Sequence, residues 1–154
     1  MQSGTNGLEP GVVVVRYNYI ATELLRLSRE THQLFAMFVT VITVLVSASA
    51  STLLTWKSLG VDLTAIVTAQ KMFAALVSFV SGAAVILLFA NVMSWLDYRY
   101  EEHRLLSQYG LAFREPASLH NLWRWFEFWF GLLAVTIGVG VWFVLYVYIL
   151  PLLR

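Results

Sequence analysis

The chain has 154 residues, of which 59% are hydrophobic and 12% charged, with a formal net charge of +1. Average globular domains are about one quarter charged, so a water-soluble core could not hide this much apolar side chain, and basic residues interspersed with acids form no nucleic-acid stripe. Cysteine is absent, which removes disulfides, thiolate metal sites, iron–sulfur ligation and a cysteine nucleophile.

The composition predicts an all-α integral membrane protein with three transmembrane helices, an N-terminal amphipathic helix and a short polar helical platform between the second and third spans. Residues 1–15 read as a polar tail and residues 16–154 as one membrane domain. Met1 to Gly11 is rich in Gly, Ser and Asn, a composition of turns and open coil. The stretch MQSGTNGLEPGVVVV lacks the basic segment and long apolar core of a secretory signal, so the first span is expected to direct insertion itself. Val12 to Val15 suits a short extended piece, provided it finds a pairing partner.

From Arg16 the pattern changes. Tyr17, Ile20, Ala21, Leu24, Leu27 and Thr31 recur at three- and four-residue spacing, with Glu23, Arg26, Arg29 and Glu30 on other faces. That periodicity predicts an amphipathic helix over residues 16–32. Two placements fit it: flat in the interface, or continuous with the span that follows. The first span covers about residues 33–56 and has no charge after His32. Its second half holds Ser47, Ala48, Ser49, Ala50 and Ser51, and Ser47 and Ser51 are the helix-packing candidates here, since small residues let helices approach closely in lipid.

Lys57 to Gly60 makes a turn, and Asp62 is placed to cap a second helix. Leu63 to Leu96 is too long for one bilayer crossing. Gln70 and Lys71 mark the boundary, with Lys71 snorkelling to the headgroups and the uncharged span at about 72–96. A deep Lys71 would instead be a functional candidate. Ser78 and Gly82 form a small-residue pair, and Asn91 is an amide able to bond a neighbouring helix or reach water.

Residues 97–127 form the polar platform and loop. Its first half, DYRYEEHRLLSQ, extends the second helix until Gly110 closes it, and Glu115-Pro116 with Ser118 reads as a turn into a new helix. The third span, about 128–153, opens on an aromatic belt of Trp123, Trp125 and Trp129 and stops near Pro151. Ala134 and Gly138 are its packing candidates, with Thr136 and Gly140 at the same spacing, and Trp142 serves as a wedge against another helix.

Arg16, Arg26, Arg29, Arg99, Arg104, Arg114 and Arg124 fall on one side of the spans, against Lys57, Lys71 and Arg154 on the other. By the positive-inside rule the amino terminus is expected inside and the carboxyl terminus outside a plasma (inner) membrane. His32, His103 and His120 share the inner layer with several carboxylates, which makes a metal or proton site there thinkable, although no histidine pair has zinc-motif spacing. Glu127 is the sharper oddity. A carboxylate within WRWFEFWF needs a partner, Arg124 being the nearest, or else a role toward a lipid headgroup, quinone or proton.

No cofactor is predicted, bound lipid is expected, and the partners are the bilayer and itself or other membrane subunits, without nucleic acid. The reading that follows is a noncatalytic packing or accessory subunit of an oligomeric membrane complex. The alternatives are a homo-oligomeric pore or permeabilising effector lined by the serine-rich half of the first span, and a membrane enzyme using the inner histidines.

Overall fold

The structure, a computed structural model, describes residues 10–110 and 125–153. Helix α1 runs Pro10–Thr55 and α2 Leu63–Gln108; α3 runs Phe126–Val144, continued by a π turn, Leu145–Ile149, and a last turn to Leu152. No strand occurs among the described residues. All three helices are long and apolar enough to cross a membrane. Their faces fit that solvent: Phe79, Ile86 and Phe89 on α2 and Val139 on α3 are exposed, which lipid tails tolerate and water does not.

α1 begins earlier than the sequence pattern suggests. Pro10 takes the first helical position, where its missing N–H costs nothing, and Val12 to Val15 are helical, not extended. A lone strand would leave its backbone unpaired, whereas helix satisfies those groups locally. The tail therefore gives up residues 10–15 to the helix. Between Val12 and Thr55 there is no Gly or Pro, so residues 16–32 and the first span form one rod, about 69 Å long at 1.5 Å per residue. Of its two possible placements, the chain takes the continuous one.

Residues 56–62 reverse the chain, with Gly60 at φ 64°, a left-handed conformation that favours glycine. Asp62 then caps α2, its carboxylate accepting from the Thr64 N–H at 3.1 Å. At the other end Gly110, at φ 68°, closes α2. Residues 97–108, expected to open a polar platform, are the last turns of α2, and residues 111–124, with the expected turn at Glu115-Pro116, His120 and Arg124, lie outside the described residues.

The helix ends at Leu152, where the sequence places the end of the third span, and Pro151 sits inside its last turn. Proline crowds the carbonyl four residues back and donates nothing. The π turn just before it widens the helix, with the Leu150 N–H reaching five residues back to the Leu145 carbonyl.

α1 and α2 pack antiparallel, and α3 lies along the part of α2 from Trp95 back towards Gln70. One core joins all three: Phe38 and Ile42 from α1, Val77, Ala84 and Leu88 from α2, Phe130 and Ala134 from α3. A second, smaller core of Ile20, Leu24 and Leu105 joins α1 and α2 alone, in an arm that extends beyond the start of α3.

Candidate functional site

The α1–α2 seam is fastened at two levels by an amide on α2 that bonds to α1. At one end the Gln70 amide donates to the Ser49 carbonyl at 3.2 Å and its oxygen accepts from the Ser49 hydroxyl at 2.6 Å. At the other, the Asn91 amide donates to the Leu27 carbonyl at 3.0 Å and to the Thr31 hydroxyl. Both clamps use a spare lone pair on a helical carbonyl together with a hydroxyl. From Gln70 to Asn91 the helix advances about 31 Å, close to the hydrocarbon thickness of a bilayer. Gln70 is almost fully buried.

The α2–α3 seam is built from small residues. The Ser78 hydroxyl donates to the Gly138 carbonyl at 2.9 Å and accepts from the Trp142 indole N–H at 2.8 Å, so one side chain bridges two turns of α3. A Cβ at Gly138 would stand only 3.0 Å from the Ser81 Cβ, so glycine is what permits this approach. Ser81 is buried beside it, and its hydroxyl has no hydrogen-bond partner. Ala134 is fully buried in the common core. Gly82, by contrast, faces open space, because Ser81 and Ala84 are the residues turned towards α3.

Ser47 and Ser51 also point away from the bundle. They belong to an outward face of α1 with Gln33, Ala36, Thr40 and Thr43, all exposed at three- and four-residue spacing. At 100° per residue this face lies opposite Phe38, Ile42 and Ser49, which pack inward. The Thr40 and Thr43 hydroxyls each donate to the carbonyl four residues back, at 2.8 Å, so neither needs water.

Where α3 begins, a cavity of about 300 Å³ opens between the three helices. Its polar lining is Ser28 and Thr31 from α1, Asn91 from α2 and Glu127 from α3; its aromatic walls are Trp95 and Trp125, whose rings meet edge to face with centroids 5.0 Å apart. Glu127 occupies the first turn of α3, where acidic side chains complement the helix dipole. The structure thus brings Asn91 and Glu127, distant in sequence, to one cavity. His32 stands outside it, exposed, with its ring 5.3 Å from Phe126. Lys71 is exposed on α2 one residue beyond the Gln70 clamp. A second groove, about 510 Å³, opens at the opposite end of α3; among the described residues, Ser49 and Gln70 are its only polar lining.

Beyond the cavity the arm is held by charge and phenol contacts. The Arg16 guanidinium pairs with Glu101 and packs over Tyr19, and its pKa is raised mainly by the hydrogen bond to Glu101. Arg26 bridges Glu23 and Glu30 at 2.7 Å each on its own helix. The Tyr98 phenol is pushed above its ordinary value, first by its hydrogen bond with Tyr19 at 3.4 Å. Among the described residues no three His, Cys, Asp or Glu side chains are grouped to hold a metal ion.

Sequence reasoning used Gln70 only as a boundary marker. The signal for Gln70 was present, since an amide inside an apolar helix demands a partner; the identity of that partner was not. Compared with known proteins, the chain matches no family model, and no curated protein or solved structure is significantly similar to it.

Proposed function

We propose that this chain is a noncatalytic subunit of a membrane assembly, built from copies of itself or with other membrane subunits, and that the outward face of α1 is where the next subunit packs. The observation that carries this is the row Gln33, Ala36, Thr40, Thr43, Ser47 and Ser51 on the side of α1 turned away from its own bundle. Lipid tails have little to gain from such a face, whereas a second helix can approach it closely. Threonine hydroxyls already bonded to their own helix allow the contact to be dry. In this reading the arm and the platform of residues 97–127 lie inside a plasma (inner) membrane with the amino terminus, on the arginine-rich side, and the carboxyl terminus lies outside. Bound lipid fills the apolar groove beside Gln70.

The absence of cysteine makes the test direct, because each introduced thiol is the only one. Oxidative cross-linking in membranes is expected to join two copies at Ala36→Cys and Ser47→Cys, and far less at Val41→Cys and Val46→Cys, which are exposed on other faces. Equal cross-linking at all four positions, or none with no partner recovered on gentle solubilisation, would remove the reading. The same row favours one alternative, a homo-oligomeric pore with the hydroxyl face turned to a conduit. In that case Ser47→Cys reacts with a membrane-impermeant thiol reagent and reconstituted protein passes ions across liposomes; a dry contact gives neither.

A further inference from the structure

We propose that the cavity at the start of α3 binds an organic ammonium group, of the kind carried by an amine phospholipid headgroup. Among the described residues, Glu127 is the only ionised side chain that lines it, and no described side chain hydrogen-bonds or ion-pairs with its carboxylate. The Asn91 amide nitrogen is committed to Leu27 and Thr31, which leaves its carbonyl oxygen as the acceptor free to meet a donor. Trp95 and Trp125 supply its aromatic walls beside the aliphatic Leu27 and Val92, with Ser28 and Thr31 adding hydroxyls, and among aromatic rings Trp attracts cations most strongly. Trp95 already displays that preference, holding the Arg99 guanidinium 5.0 Å from its ring centroid.

Carboxylate, amide oxygen and indole together select among ligand classes. A hard metal ion requires several oxygen ligands in its first shell and makes no use of aromatic walls. An anion is repelled by Glu127. An ammonium carried on carbon uses all three, and about 300 Å³ accommodates a headgroup of that size. The cavity also stands at the level expected of a headgroup, between the apolar length of α2 and the charged arm. This inference does not depend on what packs against α1, so its failure leaves the assembly reading untouched.

The test is native mass spectrometry of the full chain in mild detergent with phosphatidylethanolamine and phosphatidylglycerol of identical tails. Wild type is expected to retain the ethanolamine lipid with a preference of about tenfold, the order expected for a charge-assisted contact backed by an aromatic face. Glu127→Gln should reduce the preference to less than about twofold, while Glu30→Gln, an exposed arm residue paired with Arg26, should keep it. Trp125→Leu retains the carboxylate and should lose about threefold or more, giving a second reading should the first variant fold poorly. Ethanolamine in solution identifies the source: displacement of the lipid at millimolar concentration assigns the site to free amines as well, and failure to displace assigns it to the lipid. Equal retention of the two lipids by wild type, or a preference unchanged in Glu127→Gln, overturns the proposal.

Discussion

The closest approach of α2 and α3 yields the sharpest test of the packing. A Cβ at Gly138 would meet the Ser81 Cβ at 3.0 Å, the Ser81 hydroxyl at 3.4 Å and the Ser78 Cα at 3.8 Å. Carbon atoms prefer a separation of about 3.5–4.0 Å, so Gly138→Ala drives the helices apart by roughly 0.5–1 Å. Overpacking of this kind costs about 1–3 kcal/mol, and stretching the Ser78 bond to the Gly138 carbonyl removes about 0.6 kcal/mol more, the mean for interhelical hydrogen bonds in membranes. Against this, alanine is better than glycine in a helix by about 1 kcal/mol. Strain outweighs propensity, and the net loss is about 1–2 kcal/mol. The same substitution at Gly140 or Gly82 meets nothing within 4 Å, and at Gly131 only the mobile end of Leu88, so those variants should be neutral or slightly stabilised. Reversible unfolding in mixed micelles measures the series. Ser81→Gly in the Gly138→Ala background should recover about 1 kcal/mol beyond additivity, because it removes the colliding atom. If Gly138→Ala proved as stable as Gly140→Ala, the close approach would be wrong.

Other expectations follow from the polar atoms. Ser81→Ala removes a buried hydroxyl without a partner while keeping its Cβ, and should raise stability by about 1 kcal/mol in the same assay. Gln70→Leu and Asn91→Leu should each cost about 0.5–1.5 kcal/mol, because the carbonyls they abandon retain their helical bonds; Gln70→Ala, which also opens a cavity, should cost more than Gln70→Leu. The Tyr98 phenol should ionise at higher pH than an ordinary tyrosine, and Tyr19→Phe should return it towards normal, as read by ultraviolet titration. Because folding raises that pKa, the contribution of the contact is complete below the ordinary tyrosine value and is lost as pH rises through the folded one.

How far the fold was legible varies with the kind of signal. Uncharged length marks the three spans, and left-handed glycines at 60 and 110 with the Asp62 cap mark the ends of α2, because these are local demands that the sequence states outright. Faces are harder. Ser78 and Gly82 form an acceptable small-residue pair on paper, yet α3 packs on Ser78 and Ser81, a choice made by where Gly138 and Trp142 stand on the other helix. Glu127 was conspicuous among its aromatic neighbours. Asn91 joins its cavity only through the antiparallel return of α2 beside α1 and the placement of α3, which no local pattern encodes.

The two seams differ in kind, and the difference accounts for where the openings fall. α2 is tied to α1 by amide clamps at both ends of the apolar length and, beyond them, by Arg16 and Glu101, so these two helices form a frame whose register cannot slip without breaking polar bonds. α3 is attached to α2 by close small-residue contact and the Ser78 bridge, but it meets α1 through aromatic rings at one end: Phe35 with Phe126 and Phe130, and Phe38 with Phe130. Towards its other end, the π turn brings Leu145 and Ile149 to the edge of the groove that Ser49 and Gln70 also line. A helix wedged by bulky rings at one end and drawn close to a single neighbour along its length must leave space beside the other neighbour. Substituting Phe130, which is buried and touches both Phe35 and Phe38, should therefore perturb the groove from the far end of α3: Phe130→Leu is expected to let α3 close on α1 and lower the number of lipids retained, whereas unchanged retention would mean that the groove is set by the π turn alone.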